Sequence, residues 1–132
     1  MREKARLRKA EAHISGLLHF LEEREGVPVV LFDAYADAIE RYGLEDRRGM
    51  TDEGPTVSET TAEARTSYQQ MIEAMSAYTF EGGRDRWEAF GQAASGYGQA
   101  AFFAVANARS ALHAPGVGFS EHTDPAFAGL VE

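Results

Sequence analysis

The chain has 132 residues, with 13 lysine and arginine residues against 21 acidic residues, so its formal net charge at neutral pH is −8. Its length suits one domain that buries about two-thirds of the surface of the unfolded chain. Its 44% hydrophobic content argues against wholesale disorder. The sequence contains no cysteine, which excludes a disulfide framework, a thiolate zinc site, an iron–sulfur cluster and a cysteine nucleophile.

Charge is unevenly distributed along the chain. Residues 1–9 contain five basic residues and one acidic residue, so the remainder is more acidic than the whole. An acidic body repels phosphate backbones, and we expect no direct binding of duplex nucleic acid by this part of the chain. The basic arm of residues 1–9 could still contact a phosphate, an anionic lipid headgroup or an acidic partner, although the first turns of a solvated helix are the favoured interpretation. The basic residues are not followed by the apolar stretch of a secretory signal, so we expect a cytoplasmic protein.

The first part of the sequence predicts two helices. Apolar or small residues recur at three- and four-residue spacing over about 2–25, and Gly26 with Pro28 then stops this helix. A second helix is predicted over about 28–42, with Gly43 at its end. The side of this helix opposite its aromatic residues forms an acidic face that we expect to be solvated, Asp33, Asp37 and Glu40.

A loop and a third helix follow. Residues 43–57 combine charge, glycine and proline without periodicity, which predicts a long loop. The next helix is predicted over about 57–80, opened by a capping box at Thr56 and Glu59 or by a second one that begins at Thr60. Two consecutive glycines after this range predict its end.

The last part of the chain predicts a long helix and a tail. Asp85 and Glu88 form a capping box that opens a helix over about 85–113. Residues 114–132 form a tail with a short helix over 124–130, where an aspartate is followed by proline. We expect three apolar residues to dock the tail onto the body, and the alternative is a mobile tail that becomes ordered on a partner. The three residues are Phe119, Phe127 and Leu130.

These elements together predict an all-α fold. Four helices arranged as two helical hairpins form a bundle-like domain over residues 1–113, and the tail follows it.

An uncharged stretch is the most unusual feature of the sequence. Residues 89–108 contain no charged side chain, and they read AFGQAASGYGQAAFFAVANA. Twenty residues is about the length that spans a bilayer, but small residues and amides dominate this stretch, which disfavours a membrane span. Two interpretations remain, burial inside the chain and burial in an interface with a second copy or another protein.

The interface interpretation assigns specific residues to a contact surface. Glycines at 91, 96 and 98 each cost about 1 kcal/mol in a helix interior. Either the helix kinks near residues 96–98, or the glycines let another helix approach closely. Trp87 and Arg109 stand at the two ends as candidate anchors, because these residue types are enriched in binding hot spots. The predicted interface residues are Trp87, Phe90, Gly91, Ala94, Ser95, Gly98, Gln99, Phe102 and Arg109.

The sequence indicates no cofactor and no metal centre. The four histidines lack the Glu-x-x-His spacing of carboxylate-bridged iron sites in helical bundles. No nucleophile elbow or phosphate-binding loop is present either. A ligand pocket among the aromatic residues stays as an alternative to a simple apolar core. The aromatic residues concerned are Tyr68, Tyr78, Trp87, Tyr97 and Phe102.

These observations favour a non-catalytic interaction protein, either a homo-oligomer or a small subunit or regulator of a larger assembly. Its contact surface is the helix over 87–112, which contains the uncharged stretch over 89–108. The alternative is an acidic inhibitor or nucleic-acid mimic that presents carboxylates to a basic protein. A small-ligand carrier or an enzyme is less favoured.

Overall fold

A computed structural model describes residues 27–130 of the chain. These residues form three α-helices, α1 at Val29–Tyr42, α2 at Val57–Glu81 and α3 at Arg84–Leu112, followed by a 3₁₀ turn at Pro125–Phe127. The predicted all-α class is confirmed. The arrangement of four helices as two hairpins is not, because the predicted helix over 2–25 lies outside the described residues.

Local sequence signals explain where α1 and α2 begin and end. Gly43 ends α1 in the left-handed conformation with φ 66°, as the C-terminal glycine predicts. Of the two possible capping boxes, the first opens α2: the Glu59 backbone N–H donates to Thr56 Oγ1 at 3.2 Å, and the Thr56 backbone N–H donates to Glu59 Oε1 at 3.1 Å. Gly82 and Gly83, both with positive φ, then turn the chain into α3.

The start of α3 differs from the prediction. Gly83 precedes the helix and supplies no side-chain cap, and Arg84 is already helical. The predicted capping box at Asp85 and Glu88 is therefore wrong, since Asp85 lies inside the first turn. Glu88 instead accepts a hydrogen bond at 3.0 Å from the Nε of Arg84, which lies one helical turn before it. From this start α3 continues for 29 residues to Leu112 as one helix.

α3 is the central element of the described fold because it packs against both α1 and α2. Its first half shares an apolar cluster with α2, in which Met71 and Met75 are almost fully buried. Its second half shares another cluster with α1 and with the segment after α3. The two clusters use the same side of α3, which leaves the opposite side of the helix uncovered by α1 and α2.

The segment after α3 is part of the core. Phe127 is fully buried and its ring lies 4.8 Å from the ring of Tyr35 on α1, while Phe119 is 7% exposed. The burial of Phe119 and Phe127 therefore agrees with the prediction that they dock the tail onto the body. The predicted short helix over 124–130 is wrong in extent, because only Pro125–Phe127 forms a 3₁₀ turn.

One buried amide connects the loop between α1 and α2 to α3. Asn107 is 1% exposed, and its Oδ1 accepts a hydrogen bond from the Met50 backbone N–H at 2.9 Å. Its Nδ2 donates to the Pro55 carbonyl oxygen at 3.3 Å and to Thr60 Oγ1 at 3.2 Å. Gly49 has to be glycine here, because a Cβ atom would collide with the carbonyl oxygen of Asn107.

A first prediction concerns this amide. Asn107→Ala should lower the free energy of unfolding by about 2–3 kcal/mol, because it leaves the Met50 N–H without its acceptor and opens a small cavity. Urea unfolding followed by circular dichroism measures the loss. The control is Gln70→Ala, an exposed amide on α2, which should stay within about 0.5 kcal/mol of the native chain. Equal losses in the two variants would contradict the role of Asn107.

A second polar contact fastens the segment after α3 to α1. Arg41 Nη1 and Nη2 donate to the two carboxylate oxygens of Asp124 at 3.0 and 3.1 Å, and Asp124 Oδ1 also accepts from the Ala126 backbone N–H at 2.9 Å. These hydrogen bonds, led by those from Arg41, hold the pKa of Asp124 below its ordinary value of 3.8.

The direction of this pKa shift sets a pH dependence. Because the carboxylate is favoured in the folded state, its stabilisation is present above pH 3.8 and is lost as the pH falls through the lowered pKa. Asp124→Asn should cost about 1 kcal/mol at neutral pH, a modest value because Arg41 is 41% exposed. In urea unfolding at decreasing pH, the free energies of unfolding of the variant and the native chain should converge. A constant difference down to strongly acidic pH would contradict this role for the pair.

Candidate interaction surface

The exposed side of α3 forms one continuous uncharged surface, which we call the outer face. Its members are all exposed, and each lies three or four residues from another member, so that they share one side of the helix. They are Gly91, Gln92, Ser95, Gly96, Gln99, Phe102 and Phe103. At 100° per residue they occupy a sector of about 140° on the helix. Phe102 is 66% exposed and Phe103 is 41% exposed, which is unusual for phenylalanine on the surface of a soluble chain.

The predicted interface residues divide between the outer face and the core. Gly91, Ser95, Gln99 and Phe102 are exposed on the outer face. The other side of the helix is buried within the same chain and includes Phe90, Ala94 and Gly98. These last three residues therefore do not lie on the exposed surface that the predicted interface requires. Gln92, Gly96 and Phe103 also belong to the outer face, although they are not among the predicted interface residues.

The two predicted anchors lie at the ends of the outer face and already have partners. The indole of Trp87 is 5.1 Å from the ring of Tyr78 and 5.6 Å from the ring of Phe90, while the residue remains 45% exposed. Arg109 Nε lies 3.8 Å from Glu121 Oε2, and its side chain is 57% exposed. Both residues can therefore contribute to a contact only from the edge of the outer face.

The glycines of the outer face are not needed for packing in the described part of the chain. A Cβ atom at Gly91 or at Gly96 would meet no atom within 4 Å. Each glycine nevertheless weakens the helix by about 1 kcal/mol relative to alanine. The outer face therefore carries a cost in helix stability for which no contact between α3 and the rest of the described fold compensates.

A groove runs beside the outer face, between α2 and α3. It has a volume of about 380 Å³ and is open to solvent. On α3 it is bounded by Gly96, Gln99, Ala100 and Phe103, and on α2 by Thr60, Glu63 and Ser67. The missing side chain of Gly96 widens this groove from the α3 side, so an apolar side chain from outside can enter there.

The predicted acidic face lies on α1. Asp33, Asp37 and Glu40 are all exposed, and Asp37 Oδ2 accepts a hydrogen bond from Arg41 Nε at 2.7 Å. Among residues 27–130 no group of three or more histidine or acidic side chains is placed to hold a metal ion. The acidic face is therefore a solvent-exposed charged surface of α1.

The sequence did not indicate a cluster around Glu121. This carboxylate is only 11% exposed and accepts a hydrogen bond from the Tyr35 hydroxyl at 3.2 Å. His113 Nε2 lies 2.5 Å from its other oxygen. Burial, followed by the charge of Glu121, raises the pKa of Tyr35 to about 12. The cluster joins α1, the end of α3 and the segment that follows, and no sequence motif marks it because Tyr35 and Glu121 are 86 residues apart.

The aromatic residues considered as a ligand pocket are divided between several places. Tyr68 and Tyr97 contact each other with ring centroids 5.4 Å apart, and Tyr78 contacts Trp87. Phe102 lies away from them on the outer face. Tyr68 with Tyr97 and Tyr78 with Trp87 therefore form two separate aromatic pairs in the described fold.

Comparisons of the chain with protein-family models, with curated proteins and with solved structures found no match. Within the described part, no helix combines the length and the apolar character needed to cross a membrane.

The open surroundings of Gly96 lead to a prediction. Gly96→Ala should raise the free energy of unfolding by about 0.5–1 kcal/mol at low protein concentration, because the helix gains stability without a steric conflict. The contrasting variant is Gly49→Ala, which should destabilise because its Cβ atom would collide with Asn107. Urea unfolding measures both changes. A destabilised Gly96→Ala variant would show that part of the chain itself covers the outer face.

Proposed function

We propose that the chain is a non-catalytic helical interaction protein, a homo-oligomer or a small subunit or regulator of a larger assembly, and that it makes contact through the outer face of α3. One observation carries the proposal: two exposed phenylalanines lie on a helix face that contains no charged residue over residues 89–108. The proposed fold for the whole chain is the four-helix arrangement, and a cytoplasmic location stays a prediction.

The chemistry of the outer face supports this proposal. The central parts of protein interfaces are depleted in charged residues and enriched in aromatic residues. Phe102 and Phe103 supply apolar area that water solvates poorly, worth about 25 cal/mol for each Å² removed from water. Gln92 and Gln99 are exposed, so their amides can exchange hydrogen bonds with a partner, whereas the amide of Asn107 has its partners inside the chain.

The second candidate function uses the acidic face of α1. Its three exposed carboxylates, together with the net charge of −8, suit a basic protein partner. Binding of this kind weakens steeply as salt concentration rises, because exposed charges are screened over about 8–10 Å at moderate ionic strength. A contact through the outer face is apolar, and its dependence on salt is therefore weak.

A charge on the outer face tests the proposal. Phe102→Glu should weaken association at least tenfold, because a carboxylate would be buried without a partner in the contact. The matched control is Val30→Glu on α1, which also replaces an exposed apolar residue, 56% exposed. This control should associate like the native chain. Sedimentation velocity at several protein concentrations measures the association of all three proteins.

Two results of this experiment would contradict the proposal. Native association that Phe102→Glu leaves unchanged would mean that the contact lies elsewhere on the molecule. Association that is lost equally in Phe102→Glu and Val30→Glu would mean that added negative charge, and not the outer face, controls it. Circular dichroism of both variants verifies that their helix content is retained.

A further inference from the structure

We propose that the partner of the outer face is a second copy of this chain, bound with its α3 antiparallel and with the two-fold axis passing beside Gln99. In this arrangement Phe103 of each chain packs over Gly96 of the other, and Phe102 packs over Ser95. The inference rests on the proposed function and specifies its partner and geometry.

The order of residues along the outer face carries the inference. Gly96 lies three residues before Gln99 and Phe102 three residues after it, and Ser95 and Phe103 lie four residues before and after it. In an antiparallel pair centred on Gln99, a residue before the centre contacts a residue about equally far after it on the other helix, provided that both lie on the same side of the contact line. At 100° per residue Gly96 and Phe103 lie on one side of Gln99, and Ser95 and Phe102 lie on the other. Each exposed phenylalanine therefore meets a small residue, so large side chains of one helix enter the spaces on the other.

The structure provides the space that such packing requires. Position 96 has no atom within 4 Å of where its Cβ would be, and it borders the groove of about 380 Å³ between α2 and α3. A phenyl ring from a second copy enters this groove at Gly96. The same contact explains why glycine is retained at an exposed position where alanine would favour the helix.

A parallel pair of the same helices would be mismatched. Each residue would then face its own copy, so Phe102 would meet Phe102 and Gly96 would meet Gly96. The paired phenylalanines would hold the two helices apart, and the paired glycines would then leave a gap between them. Arg109 would also lie beside Arg109, which places like charges together. The antiparallel pair avoids both problems.

Charges at the two ends of the outer face favour the same orientation. Glu88 lies eleven residues before Gln99 and Arg109 ten residues after it. The side chains of Glu88 and Arg109 are 56% and 57% exposed, and antiparallel pairing brings them together at both ends of the contact. Exposed ion pairs add little affinity but select orientation. At the centre, two Gln99 amides each offer a donor and an acceptor to the other.

A single introduced cysteine tests this geometry, because the native chain has none. Helices packed with axes about 8–10 Å apart bring Cα atoms at the crossing point to within about 4–6 Å, which a disulfide can bridge. Gln99→Cys should therefore form a covalent dimer on mild oxidation. Gln70→Cys, which replaces an exposed glutamine on α2, is the control and should remain largely monomeric on a non-reducing gel.

A mixed experiment fixes the direction of the helices. Gln92→Cys and Ala106→Cys place thiols seven residues before and after Gln99. A mixture of the two variants should give a disulfide between unlike chains in preference to either like pair. Like pairs in both variants would indicate a parallel contact and would overturn the inference.

The outcomes separate this inference from the proposed function. A native chain that stays at its monomer mass of 14.4 kDa at all concentrations overturns the second copy as partner. An oligomer that is sensitive to Phe102→Glu, but in which Gln99→Cys links no faster than Gln70→Cys, overturns the antiparallel geometry while the outer face remains the contact. An oligomer that is insensitive to Phe102→Glu overturns the proposed function itself.

Discussion

The hydrogen bonds of Asn107 are the constraint on which the described fold depends. α3 carries no charged residue over 89–108, and Asn107 is the buried amide of this stretch. Its amide binds the loop at Met50 and Pro55 and contacts α2 through Thr60. A buried amide is favourable only when its hydrogen bonds are made. Asn107 therefore sets which side of α3 faces inward, and the outer face follows from that choice.

Much of the fold could be predicted because local chemistry determines the ends of the helices. Gly43, the capping box at Thr56 and the Gly82–Gly83 turn act within one or two helical turns, so the sequence alone indicates them. The start of α3 was missed for a related reason. Both Gly83 and Asp85 are acceptable residues before a helix, and here the turn at Gly83 begins the helix two residues earlier.

The orientation of α3 could be predicted only in part. Periodicity indicates a buried face when apolar and polar residues contrast, but alanine and glycine occur all around this helix. The spacing of small and apolar residues along α3 therefore places Phe90, Ala94 and Gly98 on the same predicted surface as Gly91 and Phe102. Contacts with α2 separate the two groups. The cluster around Glu121 was beyond prediction, since its members come from α1, the end of α3 and the following segment.

The molecule presents two surfaces of different chemistry on two helices. The acidic face of α1 is solvated, and its repulsion of other acidic molecules supports solubility. The outer face of α3 has neither charge nor a covering element among residues 27–130, and its two halves complement each other in size around Gln99. An antiparallel pair removes Phe102 and Phe103 from water and leaves the acidic faces free of the contact.

Hydrogen–deuterium exchange of the native chain at low and high protein concentration tests the central claim most directly, because it locates a contact without any substitution. The account predicts that peptides covering residues 91–106 exchange more slowly at high concentration, while peptides from α1 are unchanged. This protection should persist at high salt. Exchange that is independent of concentration in α3, or protection confined to α1 and lost at high salt, would contradict it.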